Sequence, residues 1–536
     1  MAISANAVFE FRADATSGNA NGAFFVTGAS GSDFSQQAAA QYNLTGATSA
    51  GAGAIILHAS AAADMVGNGA RVSGTNFTSG WYEIISVVVG VSITVDRNCT
   101  TGVGSAGVVN IGGAASMSGT GSFTTDALLE TMVAGNIVYF KSGSYTEGTS
   151  VSLATGIGTT TARIKIIGYT STRGDTCNGT DRPLISLGTR AFGTGAYTDV
   201  SNLSFTGTTA SNMVVGGVGS KITNCKIYHN GTTADINALS GFQIYESVEA
   251  VNLRGKAASL NGGVAINCYF HDSKINLACV GAAGVRVIHC ILARGVTSAV
   301  DAPASSGVMT LVNCTLYGSA AKIGTGLSVA TGILHAHLFN CIIKGFVTGA
   351  SHADAGSVAN FLNYNTFHNN TADVSNFTKG PGDIALDPSF TSVSEVTGST
   401  ATTSGSVLTQ SGADFSSVVD GASYCHLISG TGVTIGKYGI TSHTTDTLTL
   451  DIAPGTSATA DKVFSVGIGN NFAVGANMQA GAIPGIFPAS LTTGYNDIGA
   501  VQRQIDLPAI SNVKLGTVYD NGLKTGTYSP QRGFAG

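Results

Sequence analysis

A short repeat in the middle of the chain limits what it can fold into more than any other feature. Cys225, Cys268, Cys290, Cys314 and Cys341 are each followed two residues on by a large apolar side chain, namely Ile227, Phe270, Leu292, Leu316 and Ile343. Asn224, Asn267, Asn313 and Asn340 immediately precede four of these cysteines, and His289 precedes the other. Adjacent copies lie 22 to 27 residues apart, as in Cys268 to Cys290 and Cys314 to Cys341. The step from Cys225 to Cys268 spans two copies, and Tyr245-Glu246-Ser247-Val248 falls in the gap with Ser247 in the cysteine place. Residues 363–367 keep the register after Cys341, with Tyr364 replacing Cys.

A repeat of this length means stacked supersecondary units, none of which can bury its apolar side alone. Within each copy the order Cys, variable residue, apolar residue follows the two-residue alternation of a strand, so Cys and the apolar residue face inward. Leucine-rich spacing and helical periodicity are missing, which argues against an α/β solenoid. Further strands read at 137–141, 163–167, 184–185 and 203–205, with a last coil near 384–390. Roughly ten coils, about 50 Å of stack, are predicted at the spacing of neighbouring strands. Asn before the inward Cys suits a bend, because Asn tolerates left-handed backbone and bonds to local backbone groups.

The nine cysteines invite a metal or disulfide reading, but there is no C-x-x-C pair and no histidine at zinc spacing. Strands about 4.8 Å apart hold Cβ atoms slightly wider than a disulfide prefers. The expectation is free, buried thiols acting as small hydrophobes.

A second repeat flanks the stack. Residues 66–113 carry Trp81-Tyr82-Glu83-Ile84, Ile93-Thr94-Val95-Asp96 and Val108-Val109-Asn110-Ile111. Residues 419–469 carry Lys437-Tyr438-Gly439-Ile440, Leu448-Thr449-Leu450-Asp451 and Phe464-Ser465-Val466-Gly467 in the same order. These are two copies of one small β-module. The predicted organisation is an N-terminal cap or attachment segment (1–55), a first β-module (56–115), the β-helix (116–394), a second module (395–470), a closing β-helix segment (471–507) and a C-terminal docking tail (508–536). The tail reads as a hairpin around Asn521-Gly522.

Of the 536 residues, 43% are hydrophobic and 10% charged, so a core is affordable and the surface is coated with Thr, Ser, Asn and Gly. A net charge of −5 without basic runs argues against nucleic acid. No apolar stretch is long enough to span a membrane, and the first residues lack the pattern of a signal peptide.

Stacked coils bring side chains at matching positions together. Four residues after each ladder cysteine stand His229, Asp272, Arg294, Gly318 and Gly345. Asp272 and Arg294 are thus expected as an ion pair on adjacent coils, worth at most about 1 kcal/mol if exposed. His271 beside Asp272 suggests a base and its partner, against which stands the alternation of strand side chains. Asp301 and Asp354 are expected in loops, and Trp81 in a module core. No calcium-binding acidic cluster and no P-loop, G-x-S-x-G or H-E-x-x-H pattern occurs. No residue is assigned a catalytic, cofactor-binding or metal-binding role, and no cofactor is expected.

Several stretches carry a resemblance. The coil opening at Tyr139 to Tyr145, Gly168-Tyr169 through Arg182-Pro183, Asp387-Pro388-Ser389-Phe390 and Asp497-Ile498-Gly499-Ala500 are similar to right-handed parallel β-helix proteins. Residues 21–35, the small module and the terminal hairpin resemble tailed-bacteriophage virion proteins. The resemblance implies an all-β chain, a right-handed parallel β-helix with two inserted β-modules. It further implies a non-enzymatic structural part of a phage virion, tailspike-like or decoration-like, assembled in the host cytoplasm. Its implied partners are other virion proteins of head or tail, further copies in a homotrimer, and a host-surface glycan. Two alternatives stay open: a tailspike depolymerase or lyase, which a carboxylate pair within about 10 Å in a cleft would favour, and a bacterial surface adhesin, which would be missing from particles.

Overall fold

The computed structural model describes residues 8–11, 13, 42–66, 69–112, 129, 132–468, 472, 518–519 and 524–525, apart from 153–157, 171–174, 176, 178, 304–306, 332–334, 355–360 and 391–392. The described residues are strands joined by turns, with 3₁₀ turns at Ala63–Met65, Gly179–Asp181 and Phe415–Ser417. Two compact units divide the chain, residues 1–283 and 284–536. Each has its own stretch of parallel β-solenoid and its own small β-module.

In the first unit a coil consists of three short strands. Thr198–Ser201 pairs in parallel with Lys221–Thr223 and that with Ile244–Glu246. The following strands Ser204–Gly207, Lys226–His229, Glu249–Asn252 and Tyr269–His271 form a second wall. Val214–Val215, Asn237–Ser240 and Lys256–Ile266 form the third. Each wall alternates buried and outward residues, and Val200, Ile222 and Tyr245 stack inward at matched positions. The N-terminus joins this stack: Val8–Phe11 pairs in parallel with Ile137–Lys141, and buried Phe11 stacks on Phe140 at 4.9 Å. Part of the segment expected as a cap is therefore an added rung.

The second unit repeats the plan. Val308–Val312, His335–Phe339 and Phe361–Asn363 form one wall, and Ile291–Ala293, Thr315–Tyr317, Ile342–Lys344 and Thr366–His368 another. The expected coil at 384–390 is reduced to one parallel bridge, Thr366 to Ile384. Asp383 ends this stack by accepting from the backbone N–H and side-chain amide of Asn365 and from Gly380 N–H.

The corner before the second wall explains the repeat. Asn202, Asn224, Ser247, Asn267, His289, Asn313, Asn340 and Tyr364 all have φ between 49° and 61°. This left-handed conformation costs most residues about 1–2 kcal/mol and, among residues with a side chain, suits Asn. The Asn side chains also tie rung to rung: Asn224 donates to Asn202 Oδ1 at 2.8 Å, and Asn340 to Asn313 Oδ1 at 2.6 Å. Two register assignments are corrected. Glu249 pairs with Lys226, so Ser247 holds the Asn place and Val248 the Cys place. Thr366 pairs with Ile342, so Tyr364 likewise holds the Asn place and Asn365 the Cys place. Small or polar residues look alike in a one-dimensional alignment, and only the backbone turn separates them.

All nine cysteines are free and buried. Ladder thiols sit beside the carbonyl two residues earlier, as Cys225 donates to Thr223 O at 3.3 Å and Cys341 to Phe339 O at 3.2 Å. Burial pushes the Cys225 thiol up to about 12, so it is protonated and inert at neutral pH.

The two β-modules share one topology. In the first, the strands run Tyr42–Ala47, Gly69–Phe77, Gly80–Val88, Ser92–Val95 and Ile55–Leu57 around a sheet completed by Thr100–Gly112, and a Thr48–Leu57 bridge links its ends. In the second, the corresponding strands Glu395–Ser404, Val407–Thr409, Tyr424–Ser429, Gly436–His443, Thr447–Leu450 and Ser457–Gly467 close into a barrel in the same cyclic order. The matched tyrosines make the same bond, Tyr82 to Thr78 O at 2.8 Å and Tyr438 to Thr434 O at 2.6 Å. The C-terminal strands Val518–Tyr519 and Lys524–Thr525 pair antiparallel, as the hairpin reading expects. Its turn, residues 21–35, the closing segment around 497–500 and the side chain of Trp81 lie outside the described residues.

Candidate functional site: an imidazole between two carboxylates

The most concentrated set of titratable groups lies on the second wall of the first unit. Lys226, Glu249 and Tyr269 occupy matched positions on three successive strands. Lys226 Nζ lies 2.9 Å from Glu249 Oε1. His271 Nε2 lies 3.4 Å from the same oxygen, and its Nδ1 lies 2.9 Å from Asp272 Oδ2. His271 and Asp272 are buried, whereas the Glu249 side chain is 33% exposed. The Tyr269 ring stacks on His271 at 3.9 Å between centroids.

Neighbouring strand residues face opposite ways, which is why the sequence argued against His271 meeting Asp272. The pair forms nonetheless, because Asp272 has left the strand: its φ is 47°. The left-handed turn swings the carboxylate back to Nδ1. Glu249 carried no sequence signal of its own, and only its register opposite Tyr269 brings it to Nε2.

Burial pushes Glu249 upward, but the hydrogen bond and charge of His271, then those of Lys226, outweigh it and hold the carboxyl at about 2. A group ionised so firmly cannot donate a proton at neutral pH, which removes it as a general acid. Both ring nitrogens face carboxylate oxygens. In a hydrolytic triad the second nitrogen faces a nucleophile; here a carboxylate takes that place. The cluster chemically amounts to a charged tie across three rungs.

Asp272 and Arg294, expected at an exposed surface, are both buried, and within its own unit Arg294 lies against Gly467. His229 is also buried, with ring nitrogens near Thr209 O at 3.0 Å and Asn252 Oδ1 at 3.2 Å, and burial lowers its affinity for a proton. Asp301 lies in the strand Ser298–Ala302 and not in a loop. Its column continues through Ser328 to Ser351, so Asp354 stands two rungs, about 10 Å, further along the stack. Other charges pair locally, among them Arg163 with Asp199, Lys221 with Glu246, Lys344 with Asp387 and Lys379 with Asp373. Among the described residues no group of three His, Cys, Asp or Glu is arranged to hold a metal ion, and no helix is long and apolar enough to cross a membrane.

One further polar cluster joins the second module to its own solenoid. Glu395 accepts from Tyr317 Oη at 3.0 Å, Ala320 N at 3.2 Å and Ser465 Oγ at 2.6 Å. Tyr317, Phe390 and Phe472 pack edge to face around it, with centroids 5.3 to 5.9 Å apart.

No protein-family model matches the chain, and no curated protein matches it. Among solved structures it is similar to the pectate lyase Pel9A, at 13% identity over 50% of this chain and 78% of that one, with a TM-score of 0.30. It is similar to the PL6 family polysaccharide lyase Pedsa3628 from Pseudopedobacter saltans, at 13% identity over 46% and 75%, with a TM-score of 0.34. It is also similar to the tailspike protein gp49 from Pseudomonas phage LKA1, at 10% identity over 79% and 81%, with a TM-score of 0.22. Likeness at this level transfers neither substrate nor activity.

Proposed function

We propose that this chain is a non-enzymatic structural component of a phage virion, a rigid β-helical surface part serving assembly, stabilisation or host-surface contact. The observation that carries this reading is the use made of charge. Arg163 and Asp199, Lys221 and Glu246, and Lys226, Glu249, His271 and Asp272 link residues on successive rungs. Acids committed to such ties stiffen a stack and are not poised for proton transfer. Other virion proteins and further copies of the chain are the partners this role requires.

A second reading, cleavage of a host-surface polysaccharide, is favoured by one observation. His271 is held between two carboxylates beside a partly exposed edge, and an imidazole so oriented could serve as a base once Glu249 is displaced. The test of the first reading is mass spectrometry of purified particles. The chain should be present at a fixed copy number, and particles that lack it would contradict the proposal.

A further inference from the structure

The strand His335–Phe339 alternates strictly: Ala336 and Leu338 are fully buried, so His335, His337 and Phe339 share the outward side. The two imidazoles are neighbours, with ring centroids 6.0 Å apart and planes inclined at 38°. On one flank the register places Val308 opposite His335 and Thr310 opposite His337. On the other, Phe361 stands opposite His337, and its ring lies 5.2 Å from that of Phe339. Phe339 in turn lies 6.2 Å from His337, which limits how far that ring can turn.

We propose that His335 and His337 form a two-imidazole chelate for a divalent transition-metal ion on the outer wall of the second unit's solenoid. A metal–nitrogen bond of about 2.0–2.1 Å puts the centroid of a ligating imidazole roughly 3.2 Å from the ion, so two rings on one ion have centroids about 5–6 Å apart. The observed separation of 6.0 Å is at the upper end of that range. No carboxylate occupies the facing positions Val308, Thr310 and Phe361. This selects ions that favour imidazole, such as Cu²⁺, Ni²⁺ and Zn²⁺, over Ca²⁺ and Mg²⁺, which need oxygen ligands. The remaining positions on the ion would be filled by water.

Among the described residues His335 and His337 are the pair of imidazoles found side by side.

Titration calorimetry of the full-length chain without an affinity tag tests the proposal, using Cu²⁺, Ni²⁺ and Zn²⁺ chlorides in a non-chelating buffer. One ion should bind per chain, with Cu²⁺ the tightest. His335→Ala and His337→Ala should each weaken binding by about ten-fold or more, with the metal-free unfolding transition unchanged. Wild-type protein that binds no ion, or a double variant that keeps wild-type affinity, would overturn it. Should the variants fail to fold, electron paramagnetic resonance of Cu²⁺ on the wild-type chain decides. Coupling to two imidazole nitrogens supports the site, and coupling to one or none contradicts it.

Discussion

The two β-modules are one design used twice: their inward positions stay apolar, while their outward residues diverge in chemical character. Inside, Ile84 matches Ile440 and Val95 matches Leu450, and both strand pairs carry an irregularity at the same place, between Ile84 and Ser86 and between Ile440 and Ser442. Outside, the hairpin tips diverge. The first exposes Ile85, Val88 and Val89, the last two at 58% and 66%. The second has Thr441, Thr444 and Thr445 in these places and satisfies its turn internally, through Thr444 to Thr447 at 2.7 Å and His443 to Asp420 at 2.7 Å. The second module also carries the Glu395 contact to its coils. Inward residues thus specify the module, while outward residues are free to specialise.

The comparison would break most visibly in the cores. Phe464→Ala removes a fully buried ring and should cost about 3–5 kcal/mol in a denaturant titration; a value near zero would mean the barrel is not a packed unit. Glu395→Ala should cost less, about 1–3 kcal/mol, because it leaves the Tyr317 hydroxyl without its acceptor. Limited proteolysis should then cut near residue 395 faster than in wild type, and Glu395→Gln should recover part of the loss. Tyr82→Phe and Tyr438→Phe should each cost about 1 kcal/mol. Unequal losses would argue against the equivalence of the modules. Smallest of all, Ile85→Thr with Val88→Thr and Val89→Thr should stay within about 0.5 kcal/mol per site, since the second copy already carries threonines there.

On the solenoid, the acid response follows from Glu249. Its folded pKa, about 2, lies below the ordinary 4.5, so its stabilisation is complete above the ordinary value and is lost as pH falls toward 2. The wild-type Tm should therefore drop more steeply between pH 4.5 and 2 than that of Glu249→Gln. At the corners, Asn313→Ala should cost about 1–2 kcal/mol and Asn313→Gly clearly less, and equal losses would show that φ is not what selects Asn.

Much of this architecture was legible because it recurs. The Cys and apolar positions set the inward register, and nine buried thiols match the reading of cysteine as scaffold. Two of the departures arise from backbone that leaves the strand. Ser247 and Tyr364 were read one place out because the left-handed corner, and not side-chain size, defines their position. His271 and Asp272 were separated by an alternation that ends at His271. Residues 8–11 gave too short a pattern to show that they pair with 137–141. Glu249 joins the cluster through register alone, which no local motif encodes.

We propose that the solenoid's acids hold rungs together and do not cleave substrate. Purified full-length chain, incubated at neutral pH with surface polysaccharide from the host cell, tests it most directly through the polymer's length distribution. The account predicts no shortening by the wild-type chain and none by Glu249→Gln or Asp272→Asn. Shortening by wild type that is abolished in either variant would contradict it.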